Sequence, residues 1–150
     1  MRALFVLGRT VFGGYFLYNG INHLMHEKTM SQYAAHKGAS APDLAVPVWG
    51  ALLIAGGLSV MAGVRPRQGL AAIIASLIPV SLQMHRFWEI EDQQQRMNDM
   101  INFTKNMALV GAALAMMQIK EPWPMSIDAA RREEEMYVRL GGRDLRALPA

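Results

Sequence analysis

The chain has 150 residues, a formal net charge of +3 and no cysteine. The length suits one domain, and the absence of cysteine excludes disulfides and thiol chemistry. The modest charge, with no basic stripe among aromatic residues, argues against binding to nucleic acid. Hydrophobic residues make up 52% of the chain, and most charges fall between long apolar tracts or in residues 121–150. This distribution is typical of an integral membrane protein that contacts the lipid bilayer.

Four apolar tracts are long enough to cross a bilayer as helices, at about residues 3–24, 46–64, 70–88 and 102–119. About 20 residues at about 1.5 Å each match a hydrocarbon core of about 30 Å. The first tract exceeds the length of a secretory signal core and contains Arg9, so we expect a retained helix. The predicted fold class is all-α, an integral membrane four-helix bundle formed by residues 1–120.

Basic residues favour an orientation with both termini in the cytoplasm. The short connection with Arg65 and Arg67 and the basic residues of the tail would then lie inside, as the positive-inside rule prefers. In this orientation Trp49 and Trp88 would mark the outer membrane interface and Trp123 the inner one.

Residues 121–150 predict a cytoplasmic tail with one short helix outside the membrane. Ser126 is a suitable N-cap for a helix over about 127–140, and Gly141–Gly142 would end it. The charged run Arg131–Glu135 is interpreted as a solvated face, and docking onto a partner or the membrane surface is the alternative.

Two further patterns concern packing. The second tract carries a small residue at every fourth position, which predicts close contact with neighbouring helices; these residues are Ala51, Ala55, Ser59 and Gly63.

The segment 27–38 predicts a short interfacial helix that turns Met30, Tyr33 and Ala34 toward lipid.

The first tract also carries a polar stripe. Arg9, Phe12, Phe16, Asn19 and His23 are spaced by three or four residues, so they share one helical face. We expect Arg9 and Asn19 to form a buried polar stripe, because exposure to lipid would be costly. Snorkelling of Arg9 toward the lipid headgroups is an equal alternative.

Polar residues at the ends of the other tracts converge with this stripe in an up-down-up-down bundle. Glu89 follows His85 by one helical turn and is predicted to pair with it, and such a histidine exchanges protons near neutral pH. The ammonium of Lys105 would favour an anion or a quinone oxygen. The candidate quinone or proton site consists of His23, His85, Glu89, Asn102, Lys105 and Asn106.

Two other interpretations of these residues stay open. Histidine and tryptophan at membrane ends often serve only as interfacial anchors, with Lys105 neutralising Glu89 or Asp99. A metal site formed by His23, His26, His85 and Glu89 is chemically feasible, but the His-x-x-His spacing is a weak signal and no metal is assigned.

Several motifs then occur in order along the tracts: Gly8-Arg9, Gly20-Ile21-Asn22-His23, Gly56-Gly57-Leu58, His85-Arg86-Phe87-Trp88 and Asn102-Phe103-Thr104-Lys105-Asn106. Over about residues 5–117 the chain resembles the DoxX family of small bacterial membrane proteins. The resemblance implies a multi-pass four-helix protein of the bacterial cytoplasmic (inner) membrane. Members are linked to quinone-dependent or stress-related membrane complexes, so quinone is the ligand that the resemblance favours.

Two functions follow as hypotheses. The first is an accessory or quinone-interacting subunit of a membrane redox or respiratory system; any catalysis would be that of a quinone-linked membrane oxidoreductase. The second is a non-catalytic scaffold that stabilises a larger membrane complex. Both imply membrane protein partners or a homo-oligomer, and a small transporter is disfavoured because no inverted repeat is evident.

Overall fold

The structure, a computed structural model, describes residues 2–139, and this part of the chain is all-helical. Its α-helices are α1 (Arg2–Met25), α2 (Glu27–His36), α3 (Pro42–Ala62), α4 (Pro66–Met84), α5 (Gln93–Met117) and α6 (Ile127–Arg139), with a 3₁₀ turn at Phe87–Glu89. The predicted end of the tail helix at Leu140 and Gly141–Gly142 lies outside the described residues. No strand occurs in residues 2–139, so the all-α fold class is confirmed there.

Three segments are long and apolar enough to cross a membrane: Pro42–Ala62, Pro66–Glu89 and Gln93–Met117. Helix α1 has 24 residues, which is sufficient length, but it falls outside this set. Polar side chains such as Arg9, Tyr18 and Asn19 interrupt its apolar sequence. The four predicted spans are therefore supported for three helices.

The long helices pack in the order α1, α3, α4, α5, each on the next, and α2 packs mainly on α3. The main hydrophobic core lies between these helices and includes Phe16, Val60, Leu70 and Ile73. Consecutive long helices are antiparallel, as shown for α1 and α3 by the contacts of Gly13 with Gly57 and of Gly20 with Gly50. In this packing order, α1 and α5 lie at the two edges of the arrangement, with α3 and α4 between them.

Glycine allows α1 and α3 to touch backbone to backbone. A Cβ placed on Gly13 would lie 2.6 Å from the carbonyl oxygen of Gly57, and one on Gly20 would lie 2.6 Å from that of Gly50. The small-residue prediction for the second tract is confirmed for Ser59 and Gly63, which lie against Gly69 and Ser126, but it was wrong for Ala51 and Ala55, which are exposed. The helix approaches its neighbour through glycines one or two positions away from those alanines.

The turn between α3 and α4 requires glycine at its first position. Gly63 has φ 66°, in the left-handed region, and its N–H donates to the carbonyl of Ser59. A side chain there would collide with Arg9 and Ser126. Gly63 therefore both ends α3 and leaves room for the segment that precedes α6.

That segment packs into the helical core instead of leaving it. Trp123 has 0% exposure and belongs to the main hydrophobic cluster, where its ring meets Phe5 edge-on at a centroid distance of 5.2 Å. Trp123 was expected as an interfacial anchor, but protein surrounds it. Ser126 caps α6 as predicted, since its hydroxyl oxygen accepts from the N–H of Ala129 at 3.0 Å.

Candidate functional site

A cavity of about 270 Å³ lies among α1, α3, α4 and α5, and α2 adds to its wall. Most of the lining is apolar or aromatic, including Phe16, Tyr33, Trp49, Leu77 and Met84. A concave, mainly apolar space with a few polar groups is the usual form of a small-molecule site. The core side chains of α3 and α4 form its floor.

The polar residues of the sequence prediction meet in this cavity to a large extent. Its polar lining consists of Asn19, His23, Ser76, His85, Lys105 and Asn106. Two come from α1, two from α4 and its C-cap, and two from α5, so the cavity joins residues that are far apart in the chain. Tyr15, Tyr33 and Lys105 are exposed as well as cavity-lining, so the cavity reaches the surface beside α1, α2 and α5.

Asp99 links this cavity to the segment after α2. Its carboxylate is buried at 4% exposure; one oxygen accepts from Lys37 Nζ at 2.7 Å and the other lies 3.3 Å from His85 Nδ1. Burial alone would lower the pKa of Lys37, but the hydrogen bond and charge of Asp99, with a contribution from Tyr33, raise this pKa above its ordinary value. The cluster therefore holds a charged ammonium–carboxylate pair against one cavity histidine.

Glu89 does not occupy the position predicted for it. Its carboxylate lies 3.2 Å from Arg86 Nη1 on the surface, and His85 takes Asp99 as its carboxylate neighbour. Helix α4 ends at Met84 and a 3₁₀ turn follows. The α-helical spacing that would have stacked Glu89 on His85 is therefore lost.

Asn102 acts through Lys105 and does not line the cavity. Its side-chain oxygen accepts from Lys105 Nζ at 2.9 Å, and its amide nitrogen donates to the carbonyl of Asn98 at 3.0 Å. Asn106 does line the cavity, and its amide nitrogen donates to the Ser81 hydroxyl at 3.0 Å. The Asn-Phe-Thr-Lys-Asn element thus places two polar residues at the cavity and one beside them.

Arg9 lies away from the cavity although it belongs to the same helix as Asn19. It is buried at 4% exposure, and its Nη2 donates to the carbonyl of Met125 at 2.6 Å. Its guanidinium also lies beside Gly63, where a cation complements the negative end of the α3 dipole. The predicted stripe on α1 therefore divides into two separate sites, and the buried alternative holds for Arg9.

Sequence reasoning missed Asp99 and Lys37 as parts of the site, and it was wrong to turn Met30 and Ala34 toward lipid, whereas Tyr33 is 47% exposed. Met30, Tyr33 and Ala34 line the cavity, and Ala34 packs with Val46 and Met84. Their helical spacing identified an apolar face but not the surface that covers it. The uncommon acidic residue Asp99 near an apolar tract was the signal that could have found the buried carboxylate.

The metal alternative gains no support from the geometry. Within residues 2–139, no three His, Asp or Glu side chains converge as a cation site. His26 bonds locally to the carbonyl of Asn22 at 3.2 Å, and Glu89 pairs with Arg86 on the surface.

Comparison with known protein families identifies the family of this chain. The sequence profile of DoxX matches residues 4–86, which is more than half of the chain. The chain belongs to the DoxX family. No curated protein and no solved structure matches it.

The DoxX match covers α1 to α4 and ends before α5. It includes Asn19, His23 and His85, whereas Asp99, Lys105 and Asn106 lie outside the matched residues. DoxX membership and the three apolar helices together make this chain a membrane protein. The part of the cavity wall that α5 provides, Lys105 and Asn106, is therefore known from the structure and not from the family match.

Proposed function

We propose that this DoxX-family protein is a quinone-interacting subunit of a membrane redox system in the bacterial cytoplasmic membrane. The observation that carries the proposal is the amphiphilic cavity, in which aromatic walls and a polar end occur together. A quinone is a flat ring with two polar oxygens and an apolar chain, so it requires both kinds of surface. When bound, it would supply two-electron redox chemistry, and an oxidoreductase subunit would exchange the electrons.

The size and the walls of the cavity suit a quinone headgroup. About 270 Å³ lies near the lower end of the usual range for ligand pockets, which fits one small ring better than a drug-sized ligand. Phe16, Tyr33 and Trp49 offer aromatic surfaces for ring contacts. Lys105 Nζ, held by Asn102, can donate to a quinone oxygen.

The route of entry also supports a lipid-soluble ligand. The exposed residues Tyr15 and Lys105 mark one side on which the cavity reaches the surface, where the edge helices α1 and α5 both line it. With α1 crossing the membrane as the sequence predicts, this side faces the bilayer. A quinone would then enter sideways from the lipid, with its chain leaving along the same path.

The first test is extraction of the tagged protein from its own membranes in mild detergent. Mass spectrometry of the co-purifying proteins and lipids should find quinone and an oxidoreductase partner. Recovery of neither would contradict the proposal.

Lys105→Met tests the site itself. Loss of a charged hydrogen bond should weaken binding of a short-chain benzoquinone by about tenfold, as measured by calorimetry in lipid nanodiscs. Lys120→Met is the matched control, because Lys120 is exposed and follows the far end of α5. Equal affinities in the two variants would exclude Lys105 from the site.

A scaffold subunit is the second candidate, and α6 is the observation that favours it. Its Met136, Tyr137 and Val138 are exposed beside charged residues, while Trp123 and Arg9 fix its starting point on the helical core. Complex assembly distinguishes the two functions. Lys105→Met should leave assembly intact if the cavity binds quinone, whereas a scaffold predicts normal turnover even when His23→Ala, His85→Ala and Lys105→Met are combined.

A further inference from the structure

The polar side chains of the cavity use many of their hydrogen-bond donors within the protein. His23 Nδ1 lies 2.8 Å from the carbonyl oxygen of Asn19, and the amide nitrogen of Asn19 donates to the carbonyl of Tyr15 at 2.7 Å. A carbonyl oxygen only accepts, so His23 must carry its proton on Nδ1 and the Asn19 amide has one allowed orientation. In the neutral imidazole of His23, Nε2 then remains as an acceptor, while Asn19 keeps its Oδ1 as an acceptor and its second N–H as a donor.

Asp99 determines that His85 presents a third acceptor to the cavity. Because Lys37 Nζ contacts its other oxygen at 2.7 Å, the Asp99 carboxylate already has a cationic partner. It therefore accepts from His85 Nδ1–H at 3.3 Å without requiring a charged imidazole. His85 Nε2 is then left without a proton, again as an acceptor. Lys105 is the other cation at the cavity wall, and its charge also disfavours a second proton on His85.

The remaining polar groups of the cavity wall include both donors and acceptors. The Ser76 hydroxyl donates to the carbonyl of Ala72 at 2.9 Å, which leaves its oxygen as an acceptor. Lys105 and the indole N–H of Trp49 are donors, while the hydroxyls of Tyr15 and Tyr33 can act either way. Asn106, after donating one N–H to Ser81, keeps its Oδ1 and a second N–H. The cavity wall therefore offers fixed acceptors as well as fixed donors. The favoured ligand is one that donates as well as accepts.

We propose that the cavity selects the reduced, dihydroxy form of a quinone over the oxidised, dicarbonyl form. This inference rests on the proposed function and names the redox state of its ligand. A hydroquinone has two O–H donors for the acceptors at His23, His85 and Asn19, and its oxygens still accept from Lys105. A quinone has only acceptors, so it would leave the cavity's acceptors facing its own oxygens.

Asp99 is the positioning residue in this scheme. It does not contact the ligand but sets which nitrogen of His85 carries the proton. Asp99→Asn replaces an acceptor with an amide whose NH₂ can donate to His85 Nδ1, while its carbonyl accepts from Lys37. The imidazole proton then moves to Nε2, and one cavity acceptor becomes a donor. The preference for the reduced ligand should fall or reverse.

The experiment compares a decyl-substituted benzoquinone with its hydroquinone under anaerobic conditions. Calorimetry on the full-length protein in nanodiscs of defined phospholipid gives the dissociation constant of each form. We expect the hydroquinone to bind about three- to tenfold more tightly, the effect of one or two net hydrogen bonds. Asp99→Asn should bring this ratio to one or below, and Glu89→Gln, the same chemical change on the surface, should leave it unchanged.

The outcomes separate the two proposals. Binding of neither form by the unaltered protein contradicts the quinone function and the inference together. Equal binding, or tighter binding of the quinone, overturns the inference alone. Should Asp99→Asn fail to fold, His23→Phe provides an independent test, because it removes a fixed acceptor without touching the Asp99 cluster. It should weaken hydroquinone binding more than quinone binding, and an unchanged ratio would overturn the inference.

Discussion

Polar residues at the two ends of the helical core lie in opposite environments. At the tail end, Arg9 and Gly63 meet the segment of Trp123, and the side chains are sealed inside protein. At the cavity end, His23 and Lys105 line an open space. Both ends draw on the polar stripe of α1, with Arg9 and His23 about 21 Å apart along the helix. The two ends differ because the segment of Trp123 fills the tail end, whereas the cavity end keeps an open space.

This contrast indicates which polar residues serve structure and which serve a ligand. Arg9 holds the tail through the Met125 carbonyl and complements the α3 dipole, although its Nε and Nη1 are buried without a hydrogen-bond partner among the described residues. At the cavity end, the unused hydrogen-bonding capacity faces an open space instead of packed protein. An intramembrane polar residue is therefore a stronger candidate for ligand binding when its neighbours leave space beside it.

The largest expected effect is an all-or-none difference in chemical labelling between the two ends of the helical core. It tests whether these ends face opposite sides of the membrane. The chain has no cysteine, so single substitutions report without background. With both termini cytoplasmic, Ser40→Cys near the cavity end should react with a membrane-impermeant maleimide in intact cells. Gln68→Cys, at an exposed position in the first turn of α4, should react only after permeabilisation. Labelling of the two positions in the reverse pattern would invert the predicted orientation.

Trp123→Ala should break the sealed end. Removing a fully buried tryptophan costs about 3–5 kcal/mol of stability through lost burial and the cavity left behind. Thermal unfolding in detergent should show this as a large drop in Tm. Trp88→Ala is the control, because Trp88 is 50% exposed and should change the Tm little. A similar small drop in both variants would mean that the tail does not stabilise the core.

The smallest expected effect concerns the Lys37–Asp99 pair beside the cavity, and it appears only at alkaline pH. Because the folded pKa of Lys37 is raised, its contribution to stability is complete below the ordinary lysine pKa, about 10.4. That contribution is lost as the pH rises through the raised folded value. The difference in Tm between the unaltered protein and Lys37→Met should therefore shrink above about pH 10.4. A constant difference across this range would contradict the Lys37–Asp99 pair.

The sequence by itself determined the all-α class, the family motifs, the apolar α3, α4 and α5, and the N-cap of α6. It also selected His23, His85, Lys105 and Asn106, since long apolar tracts make each polar interruption conspicuous. These features are local, because hydropathy, helical periodicity and capping depend on residues close together in the chain.

Only the tertiary structure decided which surfaces meet. It paired His85 with Asp99 instead of Glu89, turned the apolar face of α2 toward the cavity, and buried Trp123 in the core. It also separated Arg9 from Asn19, although they share one helical face. A helical pattern identifies which side chains point the same way, but the partner on that side comes from distant parts of the chain. That partner decides whether a polar group is sealed, paired or left available to a ligand.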